Sequence, residues 1–310
     1  MDTSSPITIS RRNLLLALAA LPLVGCATDS PAASSPVRSP KASAGTAEPT
    51  PLSSPRFDAL ESTYGARLGV FAVDTGTGRS VAHRQDERFA YCSTLKALAA
   101  AAVLSRRSFD DLDEIIRYSH DDLVSYSPVT EKHVGDGMRM AALCEAAVRS
   151  SDNTAVNLML RDLGGPEGMR RALAALGDDV TRADRYETEL NTAVPGDPRD
   201  TTSPAAFAND LREYCFGDAL PHEKQSILRG WMSGNATGDE LIRAGVPEGW
   251  TVADKSGAGS YGTRNDIGIV WPPDAAPIVI AVFSTREVEG ADYDNRLIAD
   301  AAGVAIDALR

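Results

Sequence analysis

A chain of 310 residues, 43% hydrophobic and 24% charged, has ordinary globular composition, with room for one large domain or two lobes. Its formal net charge of −12 gives no electrostatic reason to gather polyphosphates, which argues against nucleic acid as a partner. The cysteines (Cys26, Cys92, Cys144, Cys215) form no C-x-x-C pair, and the histidines (His83, His120, His133, His222) show no metal-ligand spacing, so a metal hydrolase is disfavoured and no metal or cofactor is expected.

The N-terminus reads as an address. Arg11 and Arg12 precede an apolar run from Leu14 to Val24. Such a run rises about 16 Å as a helix, roughly half the hydrocarbon core of a bilayer, which suits a signal-peptide h-region better than a membrane span. Ser10-Arg11-Arg12-Asn13-Leu14-Leu15 resembles a twin-arginine export signal, and Leu23-Val24-Gly25-Cys26 resembles a bacterial lipobox. Residues 1–25 are therefore expected to be a signal peptide, with Cys26 lipidated to give a membrane anchor on the outer side of the cell membrane. Residues 26–55 are mostly Ala, Ser, Thr and Pro without apolar periodicity and predict a disordered tether.

The folded part is expected to begin near Arg56. Residues 56–64 suit a short helix, and 67–73, 74–78 and 79–83 read as strand, glycine turn and strand. From about Phe89 the pattern turns helical. Residues 94–106 are rich in Ala and Leu and apolar nearly all round, as in a buried helix. Further helices are predicted at 139–149, 154–163, 166–176, 204–213 and 223–232, with Gly164-Gly165-Pro166 marking a stop and a proline-led start. Strands return at 251–256, 265–271 and 277–283, and an amphipathic helix follows from about 292 to 309. Strands at both ends with helices between predict an α/β fold with one sheet built from the two chain ends (about 56–88 and 234–310) and an all-α lobe (about 89–233). A cleft between two such lobes is a natural place for a site.

Three short motifs fall on these elements in order. Ser93-Thr94-Leu95-Lys96 places a hydroxyl and an ammonium three residues apart at the start of the buried helix, where they share a face. The serine also feels the positive end of the helix dipole, and a desolvated lysine could take its proton. Alone the pattern is weak, since about one chance match is expected in a chain of this length. Ser151-Asp152-Asn153, between two helices, offers a second hydroxyl and an amide that can both donate and accept. Lys255-Ser256-Gly257 ends a strand, where backbone can align beside a ligand and a cation can meet a carboxylate.

Together the motifs resemble those of class A β-lactamases and the related penicillin-binding proteins. The likeness covers about residues 56–310 and includes Tyr126-Ser-Pro-Val-Thr-Glu-Lys-His133 and Ser151-Asp-Asn-Thr-Ala155. It implies a two-lobe β-lactamase/transpeptidase-like fold, with an antiparallel sheet flanked by helices plus an all-α lobe. It further implies that Ser93 forms an ester with the lactam carbonyl, activated by Lys96 and Glu187, which of the two is the base being disputed for the family. Ser151 would pass a proton to the lactam nitrogen, and the N–H groups of Ser93 and Ala258 would hold the oxyanion. Residues 185–191 and 199–202 resemble the family's Ω-loop, in which an Arg185–Asp200 ion pair would close the neck and Glu187 with Asn191 would activate a hydrolytic water. Penicillin-binding proteins lack that glutamate. Tyr126, Asn153 and the strand carrying Gly257 and Ala258 would bind the substrate side chain, while Lys255, Ser256, Thr263 and Arg264 would meet its carboxylate.

The sequence also departs from the pattern. Some relatives carry a disulfide at the position of Cys144, but its partner position holds Ala100; another bridge would need a cysteine at Gly259 to reach Cys92. Cys92, Cys144 and Cys215 are therefore expected to be buried thiols. Thr188 follows Glu187 where proline is frequent, in many relatives after a cis bond. The lipobox ahead of such a domain resembles the lipoprotein-like class A enzymes of actinobacteria. The expected partners are a small-molecule β-lactam and, through Cys26, the membrane, with the protein acting as a monomer. The rival readings are a D,D-peptidase with slow turnover and an inactive lipid-tethered penicillin-recognising protein. The spectrum among penicillins, cephalosporins and carbapenems is left open.

Overall fold

The structure is a computed structural model that describes residues 50–310. The expected signal segment, Cys26 and nearly all of the tether lie outside the described residues. Five strands form one antiparallel sheet: β1 (Arg67–Asp74), β2 (Ser80–His83), β3 (Thr251–Gly259), β4 (Thr263–Trp271) and β5 (Ile278–Thr285), in the order β2-β1-β5-β4-β3. Arg67 pairs with Thr285 and Asp74 with Ile278, so the early and late parts of the described chain are joined in the middle of the sheet. That leaves β3, with the Lys255-Ser256-Gly257 motif, at one edge.

The sheet is covered on both faces, and the strand period of two sorts its side chains between them. Phe71, Val73, Ile267, Ile269, Val279, Ala281 and Phe283 pack into one apolar cluster with the helices of the chain's central part. Their neighbours Val70, Ala72, Val270, Ile280 and Val282 pack into a second, with Phe57 of α1 (Pro55–Tyr64) and the final helix.

Six of the longer helices lie between the two groups of strands: α2 (Leu95–Arg106), α3 (Met140–Arg149), α4 (Asn153–Leu163), α5 (Gly165–Ala174), α6 (Pro204–Phe216) and α7 (His222–Ser233). Every residue of α2 from Leu95 to Leu104 is buried, so small alanines allow neighbours to approach it from all sides. Local chemistry sets the ends of several helices. Asp152 caps α4 by accepting from Ala155 N, and left-handed Gly164 ends it. Ser203 caps α6, with Pro204 in its first turn. That helix runs past residue 213 because Tyr214 and Cys215 continue its buried stripe. The final helix, α8 (Asn295–Leu309), starts at Asn295 because Asp294 is the residue that caps it.

Candidate active site

Ser93 lies in a tight helical turn, Cys92–Thr94, that runs directly into α2. Lys96, one turn on, is 1% exposed, and its Nζ lies 2.8 Å from Ser93 Oγ. The same Nζ is 2.9 Å from Ser151 O, 3.2 Å from Ser151 Oγ, 2.5 Å from Asn153 Oδ1 and 2.9 Å from Glu187 Oε1. An ammonium has three donors and no acceptor, so this ring of oxygens suits the charged form. Burial pulls the Lys96 pKa below its ordinary value, while the Glu187 carboxylate pulls the other way.

The segment from Arg182 to Thr202 delivers Glu187. Its ends are drawn together by Arg182 N bonding Thr201 O and by an Arg185 Nε–Asp200 Oδ2 ion pair at 2.5 Å. Asp200 is wholly buried and also accepts from Tyr91 OH and from the backbone N–H groups of Asp184 and Arg185. Further along, Asn157 of α4 grips Glu187 through its backbone, accepting from Glu187 N (2.8 Å) and donating to Glu187 O (3.0 Å). The Glu187–Thr188 peptide is cis. Thus held, Glu187 accepts from Ser93 Oγ at 3.3 Å through Oε1 and from Asn191 Nδ2 at 2.5 Å through Oε2.

The turn containing Ser151 is fixed by buried Asp152, which accepts from Val129 N, Thr130 N and Thr130 Oγ1. Asn153 then donates from its backbone to Tyr126 O and from its side chain to Ser125 O, which seats the exposed Tyr126 beside the cleft. Lys255 Nζ, fully buried, reaches Ser151 Oγ at 3.2 Å and Ser256 O at 2.8 Å. Burial, with the nearby Lys96 charge, pushes the Lys255 pKa down to about 7. Edge strand β3 runs close past the serine: a Cβ on Gly257 would stand 3.0 Å from Tyr91 O and 3.2 Å from Ser93 N. Glycine therefore lets the strand approach the nucleophile's backbone.

These groups surround a cavity of about 390 Å³ lined by Ser93, Tyr126, Ser151, Asn153, Asn191, Ser256, Gly257, Ala258 and Arg264. Lys96, Lys255 and Glu187 are buried behind that surface. Of the expected site residues, Thr263 is the exception. It pairs with Gly259, not with Ala258 as Arg264 does, and lines a separate cavity with Arg67, Ala193 and Pro198. Adjacent strand residues point to opposite faces, and here Arg264 faces the cleft with Ser93 while Thr263 faces the other cavity.

Two lining residues have no motif to announce them. Thr237 Oγ1 lies 2.6 Å from Ser256 Oγ, and Tyr293 borders the cleft beside Arg264. Asn157, the clamp on Glu187, likewise has no motif: as an ordinary residue within a helix it carries no local signal.

Cys92, Cys144 and Cys215 are buried free thiols. A Cβ at Gly259 would come 2.7 Å from Cys92 Sγ, so that thiol is packed under the hairpin. Among the described residues, Asp58, Glu61 and His83 are grouped closely enough to reach a common metal, but on the first helix and β2, at the far edge of the sheet. Both oxygens of Glu61 are already engaged by Arg84, at 2.8 and 2.9 Å.

A serine hydroxyl between a buried ammonium and a buried carboxylate, at the end of a helix that faces a sheet edge, defines a serine acyl-transfer type of site. Residues 53–309 match the Beta-lactamase enzyme family. A β-lactamase of Bacillus amyloliquefaciens is 56% identical over 259 residues, covering 84% of this chain and 85% of that protein. One from Bacillus licheniformis is 47% identical over 305 residues, 98% of this chain and 97% of that one. The crystal structure of a class A β-lactamase from Clostridium kluyveri superposes with a TM-score of 0.81 at 51% identity, covering 82% of this chain and 97% of that one. The chain belongs to the class A β-lactamase family.

Proposed function

We propose that this protein hydrolyses the β-lactam ring of penicillin- and cephalosporin-type antibiotics through a Ser93 ester, and so confers resistance to them. The observation that carries this reading is the placement of Ser93 Oγ, 2.8 Å from Lys96 Nζ and 3.3 Å from Glu187 Oε1. The hydroxyl accepts from Lys96 and donates to Glu187, so its proton leaves toward the carboxylate as Oγ attacks the lactam carbonyl. The N–H groups of Ser93 and Ala258 hold the resulting oxyanion. As the C–N bond breaks, Ser151 gives its proton to the lactam nitrogen and takes one from Lys96, 3.2 Å from its Oγ. Glu187, 2.9 Å from the same Nζ, returns the Ser93 proton to Lys96 and is a carboxylate again. Lys255 is the second cation, at 3.2 Å from Ser151 Oγ. Glu187, steered by Asn191, next takes a proton from water; the hydroxide attacks the ester, and Ser93 leaves with a proton. Lys255, Ser256 and Arg264 meet the substrate carboxylate, and Asn153, Tyr126, Gly257 and Ala258 receive the acyl side chain.

The carboxylate arm on the Ω-loop favours a hydrolase over a D,D-peptidase whose ester persists. Hydrolysis of a chromogenic cephalosporin by residues 50–310 tests it. Ser93→Ala should abolish turnover and covalent labelling. Glu187→Ala should slow deacylation about 10²- to 10⁴-fold and leave an acyl-enzyme visible by mass spectrometry. Stoichiometric labelling of the unaltered protein without turnover would point to the peptidase, and no labelling to a binding protein.

The protein is exported and works as a monomer outside the cell membrane, held by a lipid on Cys26 in the manner of the lipoprotein-like actinobacterial enzymes. The supports are the paired arginines, the short apolar run and the Leu23-Val24-Gly25-Cys26 sequence.

A further inference from the structure

Arg264 is held at its edge and on its face. Its Nε–H donates to Asn295 Oδ1 at 2.8 Å, and Nη1 makes a long contact of 3.4 Å to Gly257 O. Asn295 is itself oriented, since its Nδ2 donates to Glu240 Oε2 at 2.6 Å. The face of the guanidinium is covered by Tyr293, whose ring centre lies 4.9 Å from Cζ. Residues 293 and 295, on either side of the cap of α8, thus grip the same arginine by face and by edge. The guanidinium keeps donors free for a carboxylate, because it carries five N–H groups in one plane.

Tyr293 is nevertheless 45% exposed, and its ring borders the cavity that contains Ser93. Holding Arg264 therefore uses only part of it. In a bicyclic β-lactam the carboxylate is borne by the fused ring, next to the carbon that carries that ring's variable substituent. A group that docks its carboxylate on Arg264 consequently presents this substituent to whatever adjoins Arg264. Here that neighbour is an aromatic ring, packed on Arg264 from one side and still half exposed where it lines the cleft, with only two side-chain torsions to immobilise.

We propose that Tyr293 is a specificity-determining residue, an aromatic wall that selects cephalosporins with a planar substituent on the six-membered ring. The proposal rests on the β-lactamase reading of the cleft. A heteroaryl group there stacks on Tyr293, whereas a methyl group, or the dimethyl five-membered ring of a penicillin, buries little against it.

Steady-state kinetics on three substrates tests this: a cephalosporin with a heteroaryl C3 side chain, the same nucleus with a C3 methyl, and benzylpenicillin. Tyr293→Ala should raise KM for the heteroaryl compound about five- to tenfold more than for the other two, with kcat changed alike for all three. Tyr293→Phe should keep the preference, because the ring and not the hydroxyl makes the wall. An equal rise in KM for all substrates would overturn the proposal and leave Tyr293 as a positioning residue for Arg264. Unchanged constants in Tyr293→Ala would overturn it as well. If the unaltered protein hydrolyses none of the three, the underlying activity fails, and the proposal with it.

Discussion

Lys255 shows how one residue's surroundings set its working range. Complete burial and the Lys96 charge push its pKa down to about 7, although Asp254 and Asp266 oppose the shift. Its ordinary value is 10.5. Below about pH 7 the side chain is a cation that attracts a substrate carboxylate; as pH rises through that value the free enzyme loses the charge. The expected result is a basic limb in kcat/KM with an apparent pKa near 7, carried mainly by a rising KM. Since binding an anion favours the charged form, kcat should fall only at higher pH. Lys255→Arg, which stays cationic throughout, should flatten the basic limb at a lower overall rate. A pH–rate profile for both proteins checks this. An unaltered basic limb in Lys255→Arg would assign it to another group.

At the scale of elements, the reacting groups divide between two supports. Lys96 belongs to the buried α2 and Ser93 to the turn that runs into it, whereas Glu187 and Asn191 ride on a loop closed at its neck by Arg185 and Asp200. Arg185→Ala would leave the wholly buried Asp200 without its counter-charge, and breaking such a pair typically costs about 3–5 kcal/mol. Tyr91 OH still bonds Asp200, so the backbone leading into Ser93 keeps that anchor. Deacylation should therefore fall well before acylation does. Urea unfolding and burst-phase kinetics measure the two effects, and an equal loss in both steps would show that the neck supports Ser93 as well. What the sequence made legible follows the same division. Ser93, Lys96 and Lys255 stand out because short spacings on regular elements carry them, and the paired glycines at 164 and 165 punctuate the helices. Thr237 and Tyr293 stay hidden because nothing local marks a residue that a loop or helix end brings to the cleft through tertiary packing. Thr263 is different: the two-residue strand period already forbids it from sharing a face with Arg264.

The whole molecule depends on a sheet whose two strand groups come from distant parts of the chain, and both sheet faces must be covered before the cleft exists. The face away from α2 is closed by α1 and α8, with Leu297, Ile298, Val304, Ile306 and Leu309 of α8 all buried. At about 1.5–3 kcal/mol for each buried side chain of this size, these five contribute roughly 7–15 kcal/mol, as much as the net stability of a typical domain. Part of the site leans on that face. Lys255 and Gly257 lie on an edge strand whose partner, β4, carries Val270 into the same cluster. Asn295, which orients Arg264, belongs to α8 itself. Ile298→Ala, at 0% exposure, should cost about 2–5 kcal/mol. If the fold is one cooperative unit, the urea midpoints for tryptophan fluorescence and for hydrolysis should coincide in the unaltered protein and fall together in the variant, with kcat in buffer little changed. Activity lost at lower urea than fluorescence would mean that the cleft opens before the core does, and that the second face supports stability without setting the site.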